Sequence, residues 1–520
     1  MREFNVTGVC VKNMHYIVDT RNKLDEIVGL IEKGKYFTIN RPRQFGKSTT
    51  ISNLREILSE KYLVLDLSFE DVGDESFVDS KAFIEMFYKY VKNQLTFLKE
   101  DGLLTLLEEM KDLSDFTDFS FFITDFVKAS NKEVVLIIDE VDDGSNNNVF
   151  LKFLGVLRAK YLKRATGRDY TFKSVILAGV HDVKNLRYKV RDDAEAGPNS
   201  PWNIATSFDI KMEFNSEEIA TMLSDFCADR GVIMDVEFMS KRIYHYTSGY
   251  PFLVSYICKL IDEKIDIDNK WSETGIERAI KLMLVEERNT NFDSIIGNLE
   301  RHDDLYDLVE EILIMGHNVV FNPHVSSMKK GFLYGITKND ERRVRIHNRI
   351  YELIIYEYLI TDLKAKNQLK VFENPENIYI NDDNSLNMGL VVNKYLEFMT
   401  KLHDDKQDEF IEKNARLLFS VFLMPIINGI GFVHYEPVIT DRRRLDLLIT
   451  YHQFKYIVEL KIWNGPDYFE KAKEQLFDYL MKENLDIGYL IVHDFRKKDH
   501  IRGTQETLNY QDKKLFVVFV

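Results

Sequence analysis

Tyr36-Phe-Thr-Ile-Asn-Arg-Pro-Arg-Gln-Phe-Gly-Lys-Ser-Thr49 starts as a short apolar run and ends in Gly-Lys-Ser at the head of an amphipathic stretch. It fits G-x-x-x-x-G-K-[S/T] with Arg41 standing in the first glycine position. The order strand, tight loop, helix is what phosphate binding needs. Gly46 lets the backbone approach phosphates closely, and the following helix offers open N–H groups and the positive end of its dipole. Lys47 would reach the β- and γ-phosphates of ATP, and the Ser48 hydroxyl would coordinate Mg²⁺. Arg43, Gln44, Phe45 and Thr49 complete the candidate nucleotide-contacting loop.

Further along, Val134-Val-Leu-Ile-Ile-Asp-Glu140 is five apolar residues followed by two carboxylates. Such a run reads as a central strand delivering acids to the C-terminal edge of a sheet, where ligands of open α/β sheets bind. Asp139 would join the Mg²⁺ shell, and Glu140 would orient or polarise the attacking water. Tyr62–Ser68 and Ser174–Ala178 are also short apolar runs, and stretches with helical spacing such as Thr49–Lys61 and Ser80–Leu98 separate them. Fully apolar strands alternating with helices predict a parallel sheet covered on both faces.

The whole chain, 520 residues with 45% apolar and 29% charged, has the composition of a globular protein of three or four domains. Its formal charge of −15 excludes nucleic-acid binding over the entire surface, so any such contact must be local. Residues 391–520 carry only about −1, leaving about −14 on the first 390, which makes the C-terminal region the better candidate to face nucleic acid. Three scattered cysteines exclude a disulfide framework. Met1–Thr7 has no apolar leader run, and no uninterrupted apolar stretch reaches membrane-spanning length, so a cytoplasmic protein without a membrane partner is expected.

The expected domains are a P-loop ATPase domain over 1–213, a helical lid over 214–300, a winged-helix-like module over 301–362, a linker over 363–389 and a final α/β domain over 390–520. The third rests on helices followed by an extended piece Phe332–Thr337, a polar turn Lys338-Asn-Asp-Glu341 and a second extended piece Arg343–His347.

The first 361 residues resemble the AAA-ATPase-like domain of a bacterial family of fused ATPase–nucleases, related to STAND and archaeal-type P-loop ATPases. The arginine-bearing loop Arg41-Pro-Arg-Gln-Phe-Gly-Lys-Ser48 is usual in that family. Phe4-Asn-Val-Thr-Gly8, His15-Tyr-Ile-Val-Asp19, Gly179-Val-His-Asp-Val-Lys-Asn-Leu186 and Ser248-Gly-Tyr-Pro-Phe252 are also similar to it. The resemblance implies that Pro251 lies beside the nucleotide, although the first turn of any helix also favours proline. It further implies that Asp182 senses the γ-phosphate, where a plain strand-end turn is the other reading. Arg158, Arg187 and Arg191 are either arginine fingers, in cis or from a neighbouring copy, or an exposed basic face.

The second chemical constellation is Arg442-Arg-Arg-Leu-Asp-Leu-Leu-Ile-Thr-Tyr-His-Gln-Phe-Lys-Tyr-Ile-Val-Glu-Leu-Lys461. Two β-rich runs flank a polar His452-Gln453 turn. If the turn is symmetric, Asp446 stands opposite Glu459, and Lys461 shares their face. Two opposed carboxylates repel unless a hard cation joins them, and an all-oxygen site suits Mg²⁺ or Mn²⁺ better than zinc. Lys461 could position or help deprotonate the attacking water. A surface ion pair between Lys461 and either acid is the competing reading.

Residues 390–520 resemble the PD-(D/E)XK restriction-endonuclease-like core, with Asp446 as first acid and Glu459-Leu-Lys461 as the E-x-K element. Leu445 replaces the proline of the named motif, a position that varies in the superfamily. Gln475 matches a glutamine that many members carry on the next helix, where Lys471, Gln475 and Tyr479 share one face. An upstream acid is also implied, Glu412 or else Glu409. Arg442, Arg443 and Arg444 would meet phosphates or form ion pairs.

Together these readings lead to an ATP-binding and ATP-hydrolysing protein that regulates metal-dependent cleavage of nucleic acid, DNA ahead of RNA, with nucleotide-dependent self-assembly. The alternative is a STAND-like ATP-dependent switch that assembles or binds nucleic acid or a protein without cleaving.

Overall fold

The computed structural model describes residues 2–108, 112–142, 147–180, 202–285, 289–313, 319–367, 376–405, 418–420, 422–423, 425–427, 431–435, 438–440, 443–444, 447–496 and 501–520. Contacts divide the chain into two compact units, Met1–Lys264 with Gly331–Ile336, and Ile265–Lys330 with Thr337–Val520.

In the first unit the order is α1 (Arg21–Glu32), β1 (Phe37–Asn40), α2 (Lys47–Leu58), β2 (Leu63–Ser68), α3 (Ser80–Leu98), α4 (Asp101–Glu108), α5 (Phe116–Ala129), β3 (Val134–Asp139), α6 (Asn148–Ala165) and β4 (Ser174–Gly179). The four strands lie parallel in the order β1-β4-β3-β2. Alternate side chains of these strands feed two separate cores. Leu24, Ile27, Ile51 and Leu54 from α1 and α2 cover one face, and Phe83, Phe87, Phe119 and Phe153 from α3, α5 and α6 cover the other. With helices on both faces, strands such as Val134–Ile138 must be apolar throughout, and every one of those residues is buried.

Next come α7 (Ser216–Arg230), α8 (Val236–Thr247) and α9 (Pro251–Glu263). Asn215 opens α7 with a reciprocal capping box to Glu218. These helices belong by contact to the sheet's unit. Lys23 reaches Glu218 at 2.5 Å, Arg2 reaches Asp225 at 2.6 Å, and the Tyr16 hydroxyl donates to Asp229 at 2.6 Å.

The second unit opens with α10 (Glu273–Val285), α11 (Thr290–Arg301) and α12 (Asp303–Leu313), followed by α13 (Ser326–Leu333) and the hairpin β5 (Thr337–Asp340) and β6 (Arg343–Ile346). Phe332–Thr337 is not an extended piece: Gly335 closes α13 at φ +70°, and the strand begins only at Thr337, so the turn falls at Glu341-Arg342. The apolar spacing of Phe332-Leu-Tyr-Gly-Ile suits a strand as well as a helix end. α14 (Arg349–Asn367) runs into the expected linker, and a bridge pairs Ile380 with Leu386 before α15 (Met388–Asp405).

The last part holds β7 (Gly431–Tyr435), β8 (Val438–Thr440), β9 (Arg443–Arg444), β10 (Leu447–Tyr451), β11 (Phe454–Ile462), α16 (Pro466–Glu483), β12 (Ile487–His493), β13 (Thr504–Tyr510) and β14 (Lys513–Phe519). Six strands form one mixed sheet, β13-β14-β12-β11-β10-β7, with α16 crossing between the parallel neighbours β11 and β12. α16 packs Ala472, Leu476, Tyr479 and Leu480 against Ile457, Leu490, Val492 and Val517 of the sheet.

Candidate functional site

Gly46 holds φ 78° as the residue before α2, and Lys47 begins the helix. The Lys47 ammonium, 6% exposed, donates to the carbonyl oxygens of Arg41 (3.1 Å) and Pro42 (3.3 Å) inside the loop. Burial lowers its pKa, and Glu140, Asp139 and Asp142 act in the opposite direction. Arg43 and Gln44 are exposed at the loop's tip, with Gln44 at φ 58°. Arg41 turns away from the tip. Its guanidinium donates to the carbonyls of Asn40 (2.8 Å) and Ile210 (2.7 Å) and lies over Phe208. An arginine in the first glycine position therefore anchors the base of the loop.

β3 places Asp139, 9% exposed, beside the first turn of α2, and Ser48 Oγ donates to Asp139 Oδ2 at 3.2 Å. Two hard oxygens, one of them anionic, thus converge next to a buried ammonium, and that donor set fits a Mg²⁺–nucleotide. Glu140 follows in left-handed backbone, φ 50°, with its N–H donating to Asp139 Oδ1 at 2.9 Å. Burial raises the Glu140 carboxyl above its ordinary value; Lys47 opposes the shift, while Asp139, Asp142 and Glu70 add to it.

Pro251 opens α9 and also lies against the loop, since a β-carbon at Gly46 would stand 3.9 Å from it. Its neighbour Tyr250 carries no motif signal of its own in the sequence yet also meets the loop. The Tyr250 hydroxyl donates to the Arg43 carbonyl at 2.6 Å, and its ring meets Phe45 edge-on at 4.8 Å. Asp142 was missed as well. It accepts from Val180 N–H at 2.6 Å and adds a third carboxylate to the field around Lys47; the doubled acid Asp142-Asp143 was the available signal. Thr49 Oγ1 accepts from the Cys10 N–H at 3.1 Å, which brings the N-terminal segment to the loop's helix. Arg158 lies on α6, and its Nε is buried without an acceptor among the described residues. Asp182, Arg187 and Arg191 lie outside the described residues.

In the second unit, β10 and β11 pair about the His452-Gln453 turn: Tyr451 faces Phe454, Thr450 faces Lys455 and Leu447 faces Val458. His452 takes φ 49°, as a tight two-residue hairpin requires. Glu459 is 0% exposed and Lys461 17% exposed, and Lys461 Nζ stands 2.6 Å from Glu459 Oε1. In the parallel ladder Glu459 neighbours Leu490 and Lys461 neighbours Val492, so both point to the face that α16 covers. On α16, Gln475 Nε2 donates to the Tyr479 hydroxyl at 3.1 Å. Asp446, Leu445, Arg442, Glu409 and Glu412 lie outside the described residues, and among the described residues no three His, Cys, Asp or Glu side chains cluster as a metal site. No described helix is long and apolar enough to cross a membrane.

Among solved structures, the Walker-type ATPase PABY2304 of Pyrococcus abyssi is similar at a TM-score of 0.47 and 14% identity, covering 68% of this chain and 99% of that one. The ORC2 protein of Aeropyrum pernix, in ADPNP–ADP complexes, gives 0.33 at 12% identity over 68% and 97% of the two chains. Cdc6p from Pyrobaculum aerophilum gives 0.31 at 13% identity over 71% and 98%. No curated protein matches the chain. A family profile described as an AAA-like domain matches residues 6–356, well over half of the sequence and spanning the loop, both of its carboxylates and Tyr250-Pro251. The chain belongs to the AAA-like domain family.

Proposed function

We propose that the first unit binds and hydrolyses ATP and that this activity regulates metal-dependent phosphodiester cleavage, of DNA ahead of RNA, by the last 131 residues, 390–520. The observation that carries the ATP half is the Ser48–Asp139 contact at 3.2 Å beside the buried Lys47. Ser48 and Asp139 would hold Mg²⁺, which when bound neutralises charge on the phosphates. Lys47 would exchange the carbonyls of Arg41 and Pro42 for phosphate oxygens. Arg43, Gln44, Phe45, Gly46 and Thr49 would cradle the phosphate chain, and Pro251 and Asp182 would flank it. Glu140 would accept a proton from, or orient, the attacking water.

For the hydrolytic half, support comes from Glu459 and Lys461 lying side by side under α16. A carboxylate buried that deeply needs a cation, and Lys461 supplies one now. The symmetric turn read from the sequence would set Asp446 opposite Glu459, and these two acids would hold Mg²⁺ or Mn²⁺. Lys461 would then be left to stabilise charge developing on a scissile phosphate, with Gln475 as a polar neighbour on α16.

The test incubates the full chain with plasmid DNA and Mg²⁺ or Mn²⁺, with and without ATP. Metal-dependent cleavage is expected, altered by ATP and abolished in Asp446→Ala and Lys461→Ala. Cleavage that survives either substitution removes the nuclease reading. A nucleotide-dependent change in oligomer size with no cleavage under any condition would favour the assembly switch instead.

A further inference from the structure

Six residues well after the helical region in sequence belong to the phosphate loop's unit. The chain leaves the second unit at Lys330 and re-enters it at Thr337, and Gly331–Ile336 packs in the first. This crossing is the end of α13. Gly335 N–H donates to the Phe332 carbonyl at 3.1 Å and Ile336 N–H to the Gly331 carbonyl at 2.9 Å, with Gly335 left-handed at φ +70°. Such a glycine-closed helix end is a common, locally determined turn.

What the turn rests on is not local. A β-carbon at Gly335 would stand 2.7 Å from Cγ and 2.9 Å from Cβ of Pro42, and 3.6 Å from Cε2 of Tyr250. Both neighbours are parts of the loop's own machinery. Pro42 gives its carbonyl to the Lys47 ammonium, and Tyr250 gives its hydroxyl hydrogen to the Arg43 carbonyl. No side chain fits between the turn and Pro42 unless one of them moves.

We propose that Gly335 is a positioning residue for the phosphate loop, and that Gly331–Ile336 is a hook through which the β5–β6 hairpin senses whether the loop holds ATP. The proposal rests on the ATP reading of the loop. Phosphate draws Lys47 off the Arg41 and Pro42 carbonyls, and residues 41–43 resettle. Close-packed atoms transmit such a shift, because packed contacts do not compress. From Ile336 the chain passes directly into Thr337, which pairs with Ile346 of β6. Linkage makes the effect reciprocal: whatever fixes the hairpin changes ATP affinity by the same factor.

The test compares Gly335→Ala with Gly231→Ala in the full chain. Gly231 caps α7 in the same left-handed conformation, φ +67°, but a β-carbon there meets nothing within 4 Å. Both variants carry the backbone strain, and only the first disturbs Pro42. Calorimetric titration with Mg·ATP should show binding weakened about tenfold in Gly335→Ala, within the usual range of coupling between sites, and little changed in Gly231→Ala. Hydrogen exchange on the unmodified protein should show Mg·ATP slowing the amides of Thr337–Ile346, an effect that disappears in Gly335→Ala. This arm stands even if that variant does not fold. Equal ATP affinity in the two variants overturns the positioning role, and unchanged exchange in the hairpin of an ATP-binding protein overturns the sensing role. Failure of the unmodified chain to bind ATP at all would instead sink the reading of the loop, and the hook with it.

Discussion

Glu140 combines two costs that a residue without a task would shed. It holds left-handed backbone, φ 50°, which costs a non-glycine residue about 1–2 kcal/mol, and it keeps a carboxylate where burial disfavours the charge. Both follow from its place just past β3, where the N–H donates back to Asp139 and the side chain is left facing Lys47. If Glu140 is the group that handles the attacking water, as proposed, it must be ionised to act. Burial raises its carboxyl above the ordinary glutamate value, so protonation on the way down in pH removes the base earlier than for an exposed glutamate. The acidic limb of the ATPase rate profile is therefore expected at higher pH than an exposed glutamate would give. Glu140→Gln should lower kcat by roughly 10²–10⁴ and erase that limb while Mg·ATP still binds. A variant that hydrolyses ATP at the normal rate would remove Glu140 from the chemistry.

The turn between α8 and α9 decides where Tyr250 and Pro251 stand, and Gly249 decides the turn. Gly249 has φ +73°, its carbonyl accepts from Phe214 N–H at 2.9 Å, and a β-carbon would fall 1.8 Å from the Phe214 carbonyl oxygen. Backbone cannot yield as a flexible side chain can. Gly249→Ala should destabilise the first unit by about 2–4 kcal/mol, the sum of left-handed strain and overpacking, read as a lower denaturant midpoint. Elements of this unit were legible in the sequence because burial on both sheet faces forces unbroken apolar runs, and β1 to β4 fall where Tyr36–Asn40, Tyr62–Ser68, Val134–Ile138 and Ser174–Ala178 announce them. β13 was not legible. Thr504-Gln-Glu-Thr-Leu-Asn-Tyr510 is a mostly exposed edge strand with no buried face to write a pattern. The hairpin register was legible, since a two-residue polar turn between β-rich runs leaves one symmetric pairing. Pro42 against Gly335 and Tyr250 against Arg43 were hidden for a different reason. They join residues some two to three hundred positions apart, and nothing periodic marks either partner.

At the scale of the whole molecule, the proposed ATP site and the proposed cleavage site fall in different compact units of the chain, so on the proposed function their readouts should separate too. If ATP binds the folded first unit as proposed, and not its unfolded chain, it stabilises that unit by mass action, about 2.7 kcal/mol at a hundredfold excess over Kd. For a unit of this size that is a rise in melting temperature of roughly 5–10 °C. On the proposed function Lys47→Ala should abolish the rise, because it removes the cation that would meet the phosphates, and should also abolish any effect of ATP on the proposed DNA cleavage while leaving metal-dependent cleavage itself. Lys461→Ala should do the reverse: the ATP-induced rise stays, and cleavage stops in every nucleotide state. The uneven charge sharpens the distinction. With about −14 of the −15 on the first 390 residues, the proposed DNA substrate would be repelled by most of the chain and met only locally, so on that proposal cleavage should fall steeply as salt screens the local contact while the ATP-induced melting shift changes little. Calorimetry and plasmid cleavage across a salt series, on the unmodified chain and these two variants, read all of this at once. Loss of the ATP-induced shift in Lys461→Ala would mean that Lys461 serves the nucleotide site, and the proposed assignment of ATP binding and cleavage to separate units would fail.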